Sequence, residues 1–350
     1  MTDYRQLLSD IKTRYNPEKQ YLVESRMFTG LPSDISDLQR YVYLAMMAVD
    51  ENYTSKTKEA GQRVKTHLQE GGLTDVSYHY QGSVMTDTHI RGYSDIDLLV
   101  ICEKYYSYDS VNIKRILESY NLSYNYSEVS KLRAVDNASP YTGNVYDDLR
   151  TIRVQSESIL SRKYVKCDTN HPKAIKITNQ DLHRDVDIVT AGWYDDVNSI
   201  INDQSITYRG IQVYDKVANI RCAADYPFLS IERINTKSAN TGGRLKRMIR
   251  FLKNIKADSK QKINLSSFDI NAICYDIDVN TYKDLHYLNL VTTIFLQLHK
   301  IAYDESYANR VTSVDGKEYI FRDSNKRQEV AVMMQKVYNV YSILKEQHLL

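Results

Sequence analysis

A chain of 350 residues is long enough to bury a sizeable core, either as two domains or as one bilobal unit. With 46 Lys and Arg against 44 Asp and Glu the net charge is only +2, so no global field concentrates the molecule on nucleic acid and any basic surface must be local. Apolar runs fall short of the roughly 18 residues of a membrane span, and the first residues lack a signal-peptide core, so a cytoplasmic location is expected.

The first predicted element is an amphipathic helix over 4–15. Leu31-Pro32-Ser33-Asp34 then offers Ser33 or Asp34 as an N-cap. From there Ile35, Leu38, Val42, Ala45, Val49, Tyr53, Val64 and Leu68 recur at helical spacing, up to a Gly71-Gly72 terminator. This predicts one long helix ending at Glu70, a spine that joins two lobes. Val76, Tyr78 and Tyr80 alternate with Ser77 and His79 in a strand that ends at Gly82, and the run IDLLVI over 96–101 reads as a buried central strand. Between them, 83–94 is expected to be turn and short helix. A helix over 110–120, a strand around 124–135, a helix over 146–164 and strands near 174–178 and 185–190 complete a mixed α/β half. Beyond about Asp215 the periodicity turns helical, over 243–255, 266–276, 282–303 and 324–346. The expected domains are residues 1–214, a sheet-bearing core with the spine helix, and residues 215–350, a helical lobe.

Chemistry concentrates in QGSVMTDTHIRGYSDIDLLV, where eleven residues separate Gly82-Ser83 from Asp95-Ile96-Asp97. On a strand, residues two apart share a face, so Asp95 and Asp97 aim together while Ile96 and Leu98 face the other way. Two adjacent carboxylates repel unless a cation lies between them. Mg²⁺ takes oxygen ligands and bridges phosphates, which makes such a pair a suitable cradle for nucleoside triphosphate chemistry. Gly82 has no side chain to keep a phosphate from the backbone, and the N–H groups of a turn leading into a helix, with the Ser83 hydroxyl, are expected to favour an anion. In-line displacement calls for a third acid near the attacking hydroxyl. Asp187, flanked by Val186 and Ile188 in an apolar strand, suits this better than Asp185, which beside Arg184 reads as a surface ion pair.

This ordered set, Gln81-Gly82-Ser83, then Asp-x-Asp, then a distant acid, resembles the nucleotidyltransferase superfamily with the DNA polymerase beta fold. More narrowly, the stretches over 225–256 (DYPFLSIERINTKSANTGGRLKRMIRFLKNIK) and 263–277 (INLSSFDINAICYDI) are similar to the helical lobe of the CD-NTase family, bacterial relatives of cyclic GMP-AMP synthase and oligoadenylate synthase. The resemblance implies an α+β, bilobal, polymerase-beta-like fold with a mixed β-sheet lobe and a C-terminal helical lobe. It implies a helix Lys on the triphosphate, a Ser some twenty residues later on phosphate and an aromatic stacked on a base, an order met by Lys246, Ser267 and Phe268. Ser266 remains an alternative to Ser267, and Phe268 an alternative core residue. In that helix Leu245, Ile249, Leu252 and Ile255 form an apolar stripe beside a basic one of Lys246, Arg250 and Lys253, which is read either as facing triphosphate or as a solvated face. Trp193 and Tyr194 are candidates for lining a base pocket or for core packing.

The function so implied is the joining of nucleoside triphosphates into a cyclic oligonucleotide second messenger of bacterial anti-phage signalling. Asp95, Asp97 and Asp187 would hold two Mg²⁺ ions, with Mn²⁺ as the alternative, and pyrophosphate would leave. The competing reading is a nucleotidyltransferase that modifies RNA, a protein or a small molecule, or makes linear oligonucleotides. Cys102, Cys167, Cys222 and Cys274 stand far apart with no Cys/His cluster, so the zinc insertion of animal cyclic GMP-AMP synthase is missing and no nucleic-acid activator is implied. Nucleoside triphosphates are the expected substrates, with room for an activating protein partner.

Overall fold

The computed structural model describes residues 4–15, 36–92, 95–119 and 123–350. The chain divides into two compact units that interleave in sequence: residues 51–85 with 95–232, and residues 1–50 with 86–94 and 233–350. This differs from a single boundary at 214/215. Of the first fifty residues, the described ones, 4–15 and 36–50, pack with the helical unit, and the sheet continues to Asp225 through a final hairpin.

The sheet unit is built from helix α3 (Glu51–Glu70), strands β1 (Val76–Gln81) and β2 (Ile96–Tyr108), helices α4 (Ser110–Glu118), α5 (Tyr126–Asp136) and α6 (Val145–Lys163), strands β3 (Cys167–Asp168), β4 (Ile175–Asn179) and β5 (Arg184–Asp195), the short α7 (Val197–Ile201), and strands β6 (Gly210–Asp215) and β7 (Ile220–Asp225). The strand order is β1-β2-β5-β4-β3, with β6 pairing to the far end of β5 and β7 to β6. Among the described strands β2 and β5 alone run parallel; the other pairs are antiparallel. Both central strands are buried on two faces, as their apolar runs require. One face, with Leu98, Val100, Val186 and Ile188, packs on Ala60, Val64 and Leu68 of α3 and on Leu149, Ile152 and Leu160 of α6. The other face carries Leu99, Ile101, Val189, Ala191, Trp193 and Ile211 as one cluster, with Phe228 packed against it. The α3 helix ends as expected, with Gly72 left-handed at φ +84° and the Leu73 N–H returning to the Leu68 carbonyl at 3.2 Å.

The helical unit contains α1 (Tyr4–Tyr15), α2 (Asp37–Met46), the end of α8 (Pro227–Ala239), α9 (Arg244–Asp258), α10 (Ser267–Asp276), α11 (Asn289–Tyr303), α12 (Glu305–Ala308) and α13 (Ser324–Glu346). Its core joins Leu8 and Ile11 of α1, Tyr41, Val42 and Leu44 of α2, the predicted stripe Leu245, Ile249, Leu252 and Ile255 of α9, and apolar residues of α10, α11 and α13.

Several sequence expectations change. The long spine is two helices broken at residues 47–50, and its N-cap is Ser36, closed by a capping box with Gln39; Ser33 and Asp34 lie outside the described residues. The break has a tertiary cause. The Ala45 carbonyl accepts from Asn254 Nδ2 at 3.0 Å and the Met46 carbonyl from Arg250 Nε at 2.9 Å, so side chains of α9 take acceptors that a continuing helix would use. The strand expected around 124–135 is helix α5, started by an Asn125–Glu128 capping box, with Leu132 and Val135 buried three residues apart. Finally, 83–92 is turn without a helical segment, and the helix expected from 282 begins at Asn289.

Candidate active site

Strand pairing assembles the carboxylates. In the parallel ladder Asp97 stands opposite Asp187, and in the antiparallel ladder Gln81 at the end of β1 stands opposite Asp97. Directly paired residues share a sheet face. Asp95 and Asp185 fall two residues before Asp97 and Asp187, so all four acids belong to the face that carries Leu99 and Val189 further along. Asp95, Asp185 and Asp187 line one pocket of about 350 Å³ together with Lys166, Cys167, Asp168, Lys176 and Thr178.

Gly82 closes this end. Its φ of +85° is a left-handed conformation, and a Cβ there would drive into the Asp97 carboxylate. The Met85 N–H returns to the Gly82 carbonyl at 3.2 Å, so Gly82 and half-buried Ser83 lie in a tight turn beside the acids. No helix follows this turn among the described residues up to 92, so N–H groups of the turn, and no helix N-terminus, are what the segment could offer an anion.

Charge is poorly balanced here. Burial, then the negative charges of Asp187 and Asp95, pushes the Asp97 carboxyl up to about 7. Partial burial with Asp187 and Asp185 pushes Asp95 upward as well. The counter-charge comes from Lys176, which sequence reasoning did not single out. Its Nζ donates to Asp187 Oδ2 at 2.7 Å, and that hydrogen bond raises its own pKa. The signal for Lys176 was available in principle: β4 and β5 form a hairpin around 180–183, which sets Lys176 opposite Asp187 and Thr178 opposite Asp185. Asp185, expected to pair with Arg184, lines the pocket instead. Arg184 lies over the Tyr53 ring at 3.7 Å and donates to Thr57 Oγ1 at 3.1 Å.

The set of oxygen donors suits a hard divalent cation; burial first, and then the neighbouring carboxylates, disfavour the charged form of Asp97, and a cation beside it would relieve both. Among the described residues no three such side chains converge into a ready-made cage.

In the helical unit the proposed nucleotide contacts fare unequally. Lys246 on α9 is half-buried; burial lowers its pKa, against the charge of nearby Asp87. Arg250 and Lys253 are neither a solvated face nor a triphosphate-facing stripe. Both are buried: Arg250 also donates to the Asp87 carbonyl at 2.5 Å, and Lys253 reaches Thr88 Oγ1 at 3.4 Å. Ser266 is the N-cap of α10, its hydroxyl 2.8 Å from Asp269 Oδ2, while Ser267 is exposed on the first turn. Phe268 is half-buried against the helical core. Trp193 is a core residue of the sheet unit, its Nε1 donating to Glu103 at 2.9 Å and its ring 4.3 Å from the Arg209 guanidinium.

The chain is similar to known proteins along its whole length. The profile of the cGAS/DncV-like nucleotidyltransferase C-terminal helical domain matches residues 232–342. The chain is 48% identical over 346 residues to a c-di-GMP synthase of Capnocytophaga granulosa, covering 98% of each chain. It is 44% identical to a c-di-GMP synthase of a Lachnospiraceae bacterium, covering 98% of this chain and 99% of that one. A solved STING-associated CdnE c-di-GMP synthase from Flavobacteriaceae sp. superposes with a TM-score of 0.87 at 36% identity, covering 99% of both chains. Identity of this level over the whole length carries the polymerase-beta-like fold and the nucleotidyltransferase activity, and the chain belongs to the CD-NTase family of cGAS/DncV-like enzymes that synthesise cyclic dinucleotides.

Proposed function

We propose that this enzyme condenses two molecules of GTP into cyclic di-GMP with release of two pyrophosphates, using Asp95, Asp97 and Asp187 as its catalytic acids. The product is inferred from the relatives, which are c-di-GMP synthases. The observation that supports the site is the register that sets Asp97 opposite Asp187, with Asp95 two residues away and Gly82 against the Asp97 carboxylate.

Asp95, Asp97 and Asp187 would hold two Mg²⁺ or Mn²⁺ ions, which when bound lower the pKa of the acceptor hydroxyl and offset charge on the departing pyrophosphate. Gly82 admits the donor phosphates to the backbone, and the Ser83 hydroxyl and turn N–H groups donate to them. Asp187 is assigned the place beside the attacking hydroxyl, where it helps draw off the proton as oxygen attacks the α-phosphorus and the bond to pyrophosphate breaks. Lys246 and Ser267 are assigned to phosphate oxygens, and the exposed part of Phe268 to a base. A second round of the same displacement closes the ring. We place the enzyme in the cytoplasm, where GTP is available; among the described residues no helix is long and apolar enough to cross a membrane. A STING-type effector downstream is part of the same proposal, since the Flavobacteriaceae relative is STING-associated.

The test is incubation of purified protein with GTP, ATP or both and Mg²⁺ or Mn²⁺, with mass analysis of phosphatase-resistant products. A cyclic di-GMP mass that disappears in EDTA and in the Asp95→Asn/Asp97→Asn double variant is expected. Turnover that requires an added RNA or protein acceptor, or survives in the double variant, overturns the reading.

A further inference from the structure

We propose that Lys176 is an internal counter-ion that holds Asp187 while the acid cluster lacks metal and surrenders that carboxylate when a divalent cation binds. The inference rests on the reading of Asp95, Asp97 and Asp187 as metal ligands and goes beyond it, because it assigns a role to a residue outside the acid set.

The argument starts from charge. Asp95, Asp97, Asp185 and Asp187 share one face of neighbouring strands, and Lys176 is the cation whose ion pair with them is formed, at 2.7 Å from Asp187 Oδ2. The register makes this contact a built feature, since antiparallel pairing sets Lys176 directly across from Asp187. Lys166 lines the same pocket on the segment leading into β3. The two partners differ in freedom: the Asp187 side chain is 17% exposed and that of Lys176 43%. An ammonium on a long flexible stem at the pocket's edge can swing into water at small cost, whereas the strand-borne carboxylate cannot leave. Oδ2 cannot serve the ammonium and a metal ion equally, so entry of a cation and departure of Lys176 are linked. Lysine suits such an exchange better than arginine, whose planar fork would grip the carboxylate at two points.

This gives opposite signs for two measurements. Without Lys176 the acids lose the ion pair that offsets their mutual repulsion, so the metal-free protein loses stability; the same loss frees Asp187, so metal binds more tightly. A lysine that only supported the strand would lower both stability and affinity when removed, and an irrelevant surface lysine would change neither.

The experiment compares wild type, Lys176→Met and Lys176→Arg without nucleotide. Free Mn²⁺ is counted by electron paramagnetic resonance during titration, and thermal midpoints are recorded in EDTA. Lys176→Met is expected to bind Mn²⁺ about threefold to fivefold more tightly, and to melt lower in EDTA than wild type. Lys176→Arg should keep the wild-type midpoint and bind Mn²⁺ no more tightly than wild type. Equal or weaker Mn²⁺ binding by Lys176→Met overturns the proposal while leaving the metal reading intact. Absence of Mn²⁺ binding in both wild type and Lys176→Met overturns the metal reading and the proposal with it. Should Lys176→Met fail to fold, Lys176→Gln, which keeps a polar head without charge, takes its place with the same expectations.

Discussion

The acids of strands β2 and β5 and the cations of helix α9 look alike in sequence, each a set of like charges at a spacing that shares a face, yet the structure treats them in opposite ways. The cations are largely consumed: Arg250 is tied to the carbonyls of Met46 and Asp87, Lys253 reaches the Thr88 hydroxyl, and Lys256 donates to the Leu265 carbonyl at 2.6 Å. The acids are left in deficit, with Lys176 paired to Asp187 and the Asp97 carboxyl pushed up to about 7. Periodicity reveals that charges gather. Whether they form a reactive site or a structural clamp depends on the partners that meet them.

The sharpest way to break this contrast is to neutralise one charge on each side. Asp97→Asn should lower the rate of pyrophosphate release by at least about 1000-fold, because charge neutralisation at the transition state is lost. The same variant should leave the far-ultraviolet circular dichroism spectrum unchanged. It also carries a pH signature. The folded carboxyl titrates near 7 and the unfolded one near 3.8, so the folded protein holds the extra proton between these values. Metal-free stability should therefore fall as pH rises through that window, and Asp97→Asn should flatten the slope of thermal midpoint against pH in EDTA.

Gly82→Ala tests the approach of backbone to carboxylate. The left-handed φ costs about 1–2 kcal/mol for a residue with a Cβ, and the methyl displaces Asp97, so an activity loss of about 100-fold is expected from steady-state kinetics. On the helical side Arg250→Ala takes the guanidinium donor from the buried Met46 carbonyl and the part-buried Asp87 carbonyl and should cost about 2–3 kcal/mol in urea unfolding. Lys253→Met should do the reverse, a gain of about 1 kcal/mol near neutral pH. Burial holds the folded Lys253 ammonium down to about 8 against the usual 10.5, so its cost is present at neutral pH and is relieved as pH rises through that interval. A stabilised Arg250→Ala, or a strongly destabilised Lys253→Met, would erase the distinction between clamp and excess charge within α9.

Much of the site was legible early for a local reason. Gly82-Ser83 before a strand bearing Asp95 and Asp97 is a pattern whose chemistry depends on strand alternation, and alternation is a property of the chain itself. The apolar stripe of α9 followed equally from helical period. The segment expected as a strand around 124–135 is a helix because an Asn125–Glu128 capping box starts it and Leu132 and Val135 recur at helical spacing. Asp185 was misread because adjacency in sequence stood in for contact in space: Arg184 turns to Tyr53 and Thr57.

By itself, then, the sequence determined the elements whose period is local, the ordered acid motif and the family resemblance that rests on them. The tertiary structure decided what long-range partners control. It broke the spine helix at Met46, where Arg250 and Asn254 capture its last carbonyls. It buried Arg250 and Lys253 of the basic stripe, and through two strand registers it brought Asp97, Asp187 and Lys176 together. The physical reason is the same each time: a hydrogen bond or ion pair between residues far apart in sequence depends on register and packing, which no local pattern carries.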